Sequence, residues 1–183
     1  MKNKKIYSLF LVIIILLVNF ITSFAKETNK ALDLENYAIS YYKNNFYDLS
    51  LTWWDLAALS SAGYKLEGFT YTRQEENQAV NVASNIIGSI LLKEDVTKDV
   101  LTLLNFYKDG LFGDSVNDQI WSIIALNMSN VDFDKEKVAL KLIELQKDDG
   151  GFSYFKDSSD VDMTGAALIA LSILKDEEGV KEA

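Results

Sequence analysis

Two aspartates, Asp160 and Asp162, stand at the mouth of the apolar run "MTGAALIALSIL". A carboxyl group in an apolar pocket has its charged form disfavoured, so it keeps a proton that it can deliver to a substrate. The same position also serves structure. A carboxylate ahead of a helix accepts hydrogen bonds from the free N–H groups of the first turn and complements the helix dipole, worth about 1 kcal/mol. Polar residues hold that place before two other apolar runs: Asn117 and Asp118 before "QIWSIIAL", and Asp48 and Ser50 before "LTWWDLAAL". Recurrence favours a shared capping role over one special acid.

Other chemistries are closed. The chain has no cysteine and no histidine, which removes thiol nucleophiles, His-based triads and Cys/His zinc sites. "DDGGF" lacks the alternating ligands and closing glutamate of a calcium-binding helix–loop–helix, so Asp148 and Asp149 read as solvated turn residues. No metal site is expected.

The elements that must position these residues are helical. No proline occurs, no sustained alternation points to strands, and apolar residues recur with helical spacing almost throughout. The spacing predicts an all-α fold of about seven helices, near 31–44, 49–62, 75–91, 96–108, 117–128, 134–147 and 161–175. "KEKVALKLIELQK" puts Val138, Leu142 and Leu145 on one stripe, as an amphipathic helix does. "WWDLAAL", "QIWSIIALN" and "MTGAALIALSIL" are apolar nearly all round and must be covered on several sides or line an enclosed space. Alternation of the two kinds implies two layers. Superposing Leu59, Leu126 and Leu171 aligns the buried helices, and the 45 residues from Leu126 to Leu171 suit one helical pair of a repeat array. "AVNVASNIIG" reads as a degenerate inner helix, and Tyr64–Gln74 is too short for the outer helix that should precede it.

The N-terminus reads as an address. Lys2, Lys4 and Lys5 precede the apolar "IYSLFLVIIILLVNFI", and "SFA" ends at Ala25 with small residues where a signal peptidase cuts. Residues 1–25 are expected to be a signal peptide, a retained anchor being the alternative, and 26–183 one folded region. The prediction is a protein secreted or held at the cell surface, with attachment to the cell envelope left open. Cleavage after Ala25 removes three of the 18 basic residues and none of the 27 acidic ones, taking the net charge from −9 to −12. Nucleic acid and anionic membrane surfaces, which need clustered Lys and Arg, are poor partners for such a chain.

"LIELQKDDGGF" resembles the glutamine–glycine–aromatic repeat of squalene and terpene cyclases, carried here by Gln146, Gly150, Gly151 and Phe152. "DVDMTGAALIAL" is similar to their aspartate-rich helix start. The whole pattern from "SVNDQIWSIIALN" to "DVDMTGAALIAL" looks closer still to exported bacterial proteins with prenyltransferase/squalene-oxidase repeats, relatives of the α domain of cobalamin carriers. The resemblance is strong from Gly113 to Leu174 and weak before Gln74.

That resemblance implies an α/α toroid of alternating inner and outer helices around a central cavity. Seven helices make little more than half of such a ring. Residues 26–183 are therefore expected to be its N-terminal part, truncated at the C-terminus, with inner faces such as Leu168 and Ile173 partly exposed. Inner-helix N-termini would ring one rim of the cavity, bringing Asn117, Asp118, Asp160, Asp162, Tyr154 and Phe155 toward a ligand. Trp54 and Trp121 could join that rim, although filling the core between layers suits them better. Cobalamin is the first ligand the resemblance implies. The cyclase motif reads Asp-x-Asp-Asp-Thr, and its middle aspartate protonates the terpene. Position by position, Asp162 is that acid and Asp160 the first aspartate, while Met163 replaces the third and Thr164 is kept. Loss of the third aspartate weakens the enzyme reading. Protein prenyltransferases share the toroid but hold zinc with Asp, Cys and His, so that branch is excluded. Three functions follow: a non-catalytic binding protein, a terpene-cyclase-like enzyme using Asp162, and a scaffold or adhesion module that binds through its outer surface.

Overall fold

A computed structural model describes residues 32–41, 44, 51–154 and 158–175. Residues 1–25, expected from their pattern to be a signal peptide, lie outside them, as do Asp48, Ser50, Phe155 and residues 176–183. The chain divides into two units, residues 1–49 and 50–183. In the first, residues 32–41 form helix α1.

The second unit is built from α2 (Trp53–Ser61), α3 (Ala79–Leu91), α4 (Thr97–Leu104), a hairpin of β1 (Tyr107–Lys108) and β2 (Leu111–Phe112), α5 (Val116–Met128), α6 (Lys135–Glu144) and α7 (Val161–Leu174). It is a mostly helical fold, as the spacing predicts. Among the described residues, no helix is long and apolar enough to cross a membrane.

Helices α2, α3, α5 and α7 pack in series, each against the next, with α4 against α3 and α6 against α7 and α5. The row is the apolar set and the two packed on it are amphipathic. In α4, Val100 and Leu103 are buried while Leu101 is exposed; in α6, Val138, Ala139 and Leu142 are buried while Leu140 is exposed. The core between them is centred on Val82, Ile86, Leu103, Phe112, Ile120 and Ile123.

The segment before α3 is a strap rather than a helix. Leu51 and Tyr71 pair as a parallel bridge. Asn85, fully buried in α3, donates from Nδ2 to the Gln74 carbonyl at 2.9 Å and accepts from the Gln74 N–H at 2.8 Å. Arg73 then pairs with the buried Asp99 of α4 at 2.6 Å. These polar anchors explain why α3 starts at Ala79, four residues later than its spacing predicts.

The hairpin corrects two expectations, that no strand occurs and that a helix runs to residue 108. The helix stops at Leu104, and Asp109 and Gly110, at φ 55° and 93°, make the two-residue turn that Asp-Gly favours. Tyr107 pairs with Phe112 and Lys108 with Leu111. Two residues per strand are too few for an alternating pattern to show.

Candidate ligand-binding cleft

The helix starts are fixed by side chains. Ser115 is the N-cap of α5: its Oγ accepts from Asp118 N at 3.0 Å, and Asp118 Oδ2 accepts in return from Ser115 N at 3.3 Å. This reciprocal capping box recurs at α2, where Thr52 and Asp55 hold the same places. Neither Asn117 nor Asp118 is thus the N-cap itself, a correction of two or three positions. Asp160 is the N-cap of α7 and accepts from Met163 N at 2.7 Å. Capping was the role its pattern favoured. From N-cap to the superposed leucine, α5 and α7 agree, Ser115 to Leu126 and Asp160 to Leu171, whereas Leu59 follows Thr52 by one turn less.

The glutamine–glycine–aromatic motif is a lock between α6 and α7. Gln146 Nε2 donates to the Gly150 carbonyl at 2.7 Å. Gly150 has φ 83°, and a Cβ on Gly151 would meet Ser159 at 2.5 Å, so both positions require glycine. Phe152 is buried, its N–H donates to Thr164 Oγ1 at 3.0 Å, and its carbonyl accepts from Asp160 N at 2.9 Å. The preceding repeat does the same with other residues. Phe112 is buried, and its N–H donates to Gln119 Oε1 at 2.9 Å. Gln119 and Thr164 both stand four residues after their N-caps. Asp149, read as merely solvated, also belongs to this lock. It accepts from Ser159 Oγ at 2.5 Å and from Gly151 N at 3.0 Å, and these bonds draw its carboxyl below the ordinary 3.8.

The opposite face of the α2–α3–α5–α7 row from α4 and α6 is a cleft of about 1260 Å³. Positions one and two turns apart supply its wall: Asn117, Trp121 and Ile124 from α5, Asp162, Ala166 and Ile169 from α7, and Asn77, Asn81 and Ser84 at the start of α3. Trp53 and Trp54 close one side. Their rings stack at 3.9 Å, and Trp121 meets them edge-on at 4.9 and 5.0 Å. Trp54 is 56% exposed, so it is a wall of the cleft and not core between layers.

Of the residues expected to face a ligand, Asn117, Asp118, Asp162 and Tyr154 line this cleft, and Asp160 does not. Asp118 borders it with its carboxylate already committed: only 7% exposed, it accepts from Ser115 and also from Val80 N at 2.8 Å. Asp162 is exposed in the first turn of α7. Sequence reasoning missed Gln74, Asn77, Gln78 and Asn81. Their signal was a cluster of amides at the entrance of an otherwise apolar helix. Among the described residues no Lys or Arg lines the cleft, and no group of acidic side chains could hold a metal ion. Comparison of the chain with protein-family models, curated proteins and solved structures found no match.

Proposed function

We propose that this chain is a non-catalytic binding module that acts outside the cell and takes its ligand in the cleft between α2, α3, α5 and α7. The observation that carries this reading is the Trp53–Trp54–Trp121 cluster, with Trp54 exposed and the other two half-buried, beside a wall of amides. Large aromatic surface left open in a concave site, with a few polar groups, is the composition of ligand pockets. The acids support binding rather than catalysis: Asp160 and Asp118 are spent on helix starts, and Asp162 stands in solvent. The ring arrangement and cobalamin as a first candidate ligand remain part of the proposal, carried by the resemblance of the "DVDMTGAALIAL" and "LQKDDGGF" segments, and export is carried by the basic and apolar pattern of residues 1–25.

The test is a screen of small molecules, cyanocobalamin among them, by calorimetry against the wild type, Trp54→Ala and Asp162→Asn. The expected result is saturable binding that Trp54→Ala weakens at least tenfold and Asp162→Asn leaves unchanged. Binding that Trp54→Ala does not weaken would place the site elsewhere. Turnover of a bound compound that disappears in Asp162→Asn would restore the enzyme reading.

A further inference from the structure

We infer that the ligand of this cleft is neutral and polyhydroxylated, a carbohydrate chain. The inference rests on the reading of the cleft as a binding site and adds the chemical class.

Charge removes the first competitors. With no Lys or Arg among its described lining residues, and with Asp114 and Asp162 exposed and without an ion-pair partner among the described residues, the cleft repels phosphates and carboxylates. Aromatic geometry removes a second. A cage for an ammonium group needs rings spaced apart around the cation. Here the three indole centroids lie 3.9–5.0 Å from one another, so the rings fill the space between themselves. What they offer is a flat, rigid platform: Trp54, backed by Trp53 and buttressed edge-on by Trp121, with more than half of its surface open. The C–H face of a pyranose ring matches such a surface.

The amides decide between a sugar and an apolar ligand. The side-chain amides of Asn117 and Gln78 make no hydrogen bond among the described residues. Each offers two donors and an acceptor, the complement of hydroxyls that both donate and accept. An apolar ligand would strip these groups of water and return nothing. At about 1260 Å³ the space also exceeds the range of roughly 300–1,000 Å³ usual for small-molecule sites, which suits several linked sugar units.

All three tryptophans of the chain line the cleft, so intrinsic emission reports on this site alone. The experiment titrates the full chain with soluble cello-, chito-, xylo- and malto-hexaose, following tryptophan emission, with cyanocobalamin measured in parallel by calorimetry. At least one hexasaccharide is expected to give a saturable change. Trp54→Ala and Asn117→Ala should each weaken it at least tenfold, with unchanged far-UV circular dichroism. Cyanocobalamin binding while every hexasaccharide fails would overturn the carbohydrate assignment and leave the cleft as a binding site. Failure of all probes would count against both. Sugar binding that survives both substitutions would overturn the assignment to this cleft.

Discussion

Asp118 Oδ1 accepts a hydrogen bond from the Val80 N–H at 2.8 Å, so the carboxylate that completes the capping box of α5 also closes the N-terminus of α3. The N-cap residue of α3, Gln78, makes no side-chain cap bond of its own. One acid thereby fixes the two helix starts that frame the cleft.

Asp118→Ala should therefore lower stability by about 2–3 kcal/mol, since a buried charge-assisted hydrogen-bond set is lost together with a cap. Asp118→Asn keeps one acceptor and should cost less. Urea denaturation of both variants checks this; a wild-type midpoint for Asp118→Ala would contradict it.

Thr164 and Gln119 hold equivalent phenylalanine N–H groups, Phe152 and Phe112. Thr164→Val keeps the shape and leaves the Phe152 N–H without its acceptor, at a cost of about 1–2 kcal/mol. Thr164→Ser should retain most of the stability. Equal denaturation midpoints for Val and Ser variants would show that the bond contributes nothing.

The Asp149–Ser159 lock should be sensitive to acid. Hydrogen bonds from Ser159 and Gly151 lower the Asp149 carboxyl in the folded state below 3.8. A group with a depressed folded pKa contributes stability that is present above its unfolded pKa and is lost as pH falls through the folded one. Asp149→Asn should be less stable than wild type at pH 7, with the gap closing below about pH 3.8. Denaturation midpoints at pH 7, 5 and 3 measure it, and a gap that does not change with pH would refute the lock.

The row of helices ends in an open face on α7. Val161 and Leu168 occupy the positions, counted from the N-cap, of Val116 and Ile123 in α5 and of Ala79 and Ile86 in α3. Those four are buried, whereas Val161 and Leu168 are 87% and 62% exposed. Ile173, also expected to show, is half-buried. Ile123→Ala should cost about 2–5 kcal/mol, and Leu168→Ala less than about 1 kcal/mol. Thermal denaturation of the two variants distinguishes these values.

Much of the fold was legible because helical periodicity is a local signal. Apolar spacing located every helix of the second unit, and the aspartates before "MTGAALIAL" marked Asp160 or Asp162 as a cap, of which Asp160 is the one. Where a tertiary contact overrode local pattern, the reading slipped. The strap tied to Asn85 delayed the start of α3; the end of α4 was missed for a different reason, since the Asp109-Gly110 turn is a local signal that the helical spacing masked. The S-x-x-D spacing of Ser115 and Asp118 was available and would have placed the α5 cap correctly. The cleft was only half visible. Asn117, Asp162 and Tyr154 could be named, but the meeting of Trp54 with Trp121 joins α2 to α5, and no local pattern encodes it.

The most direct test of the account is a 15N–1H spectrum of the three indole Nε1–H groups during titration with the best-binding hexasaccharide. The account predicts saturable shifts of the Trp54 and Trp121 indoles and of the Asn117 side-chain amide, in both wild type and Asp162→Asn. Shifts confined to residues outside the cleft, with all three indoles unmoved at saturation, would contradict it.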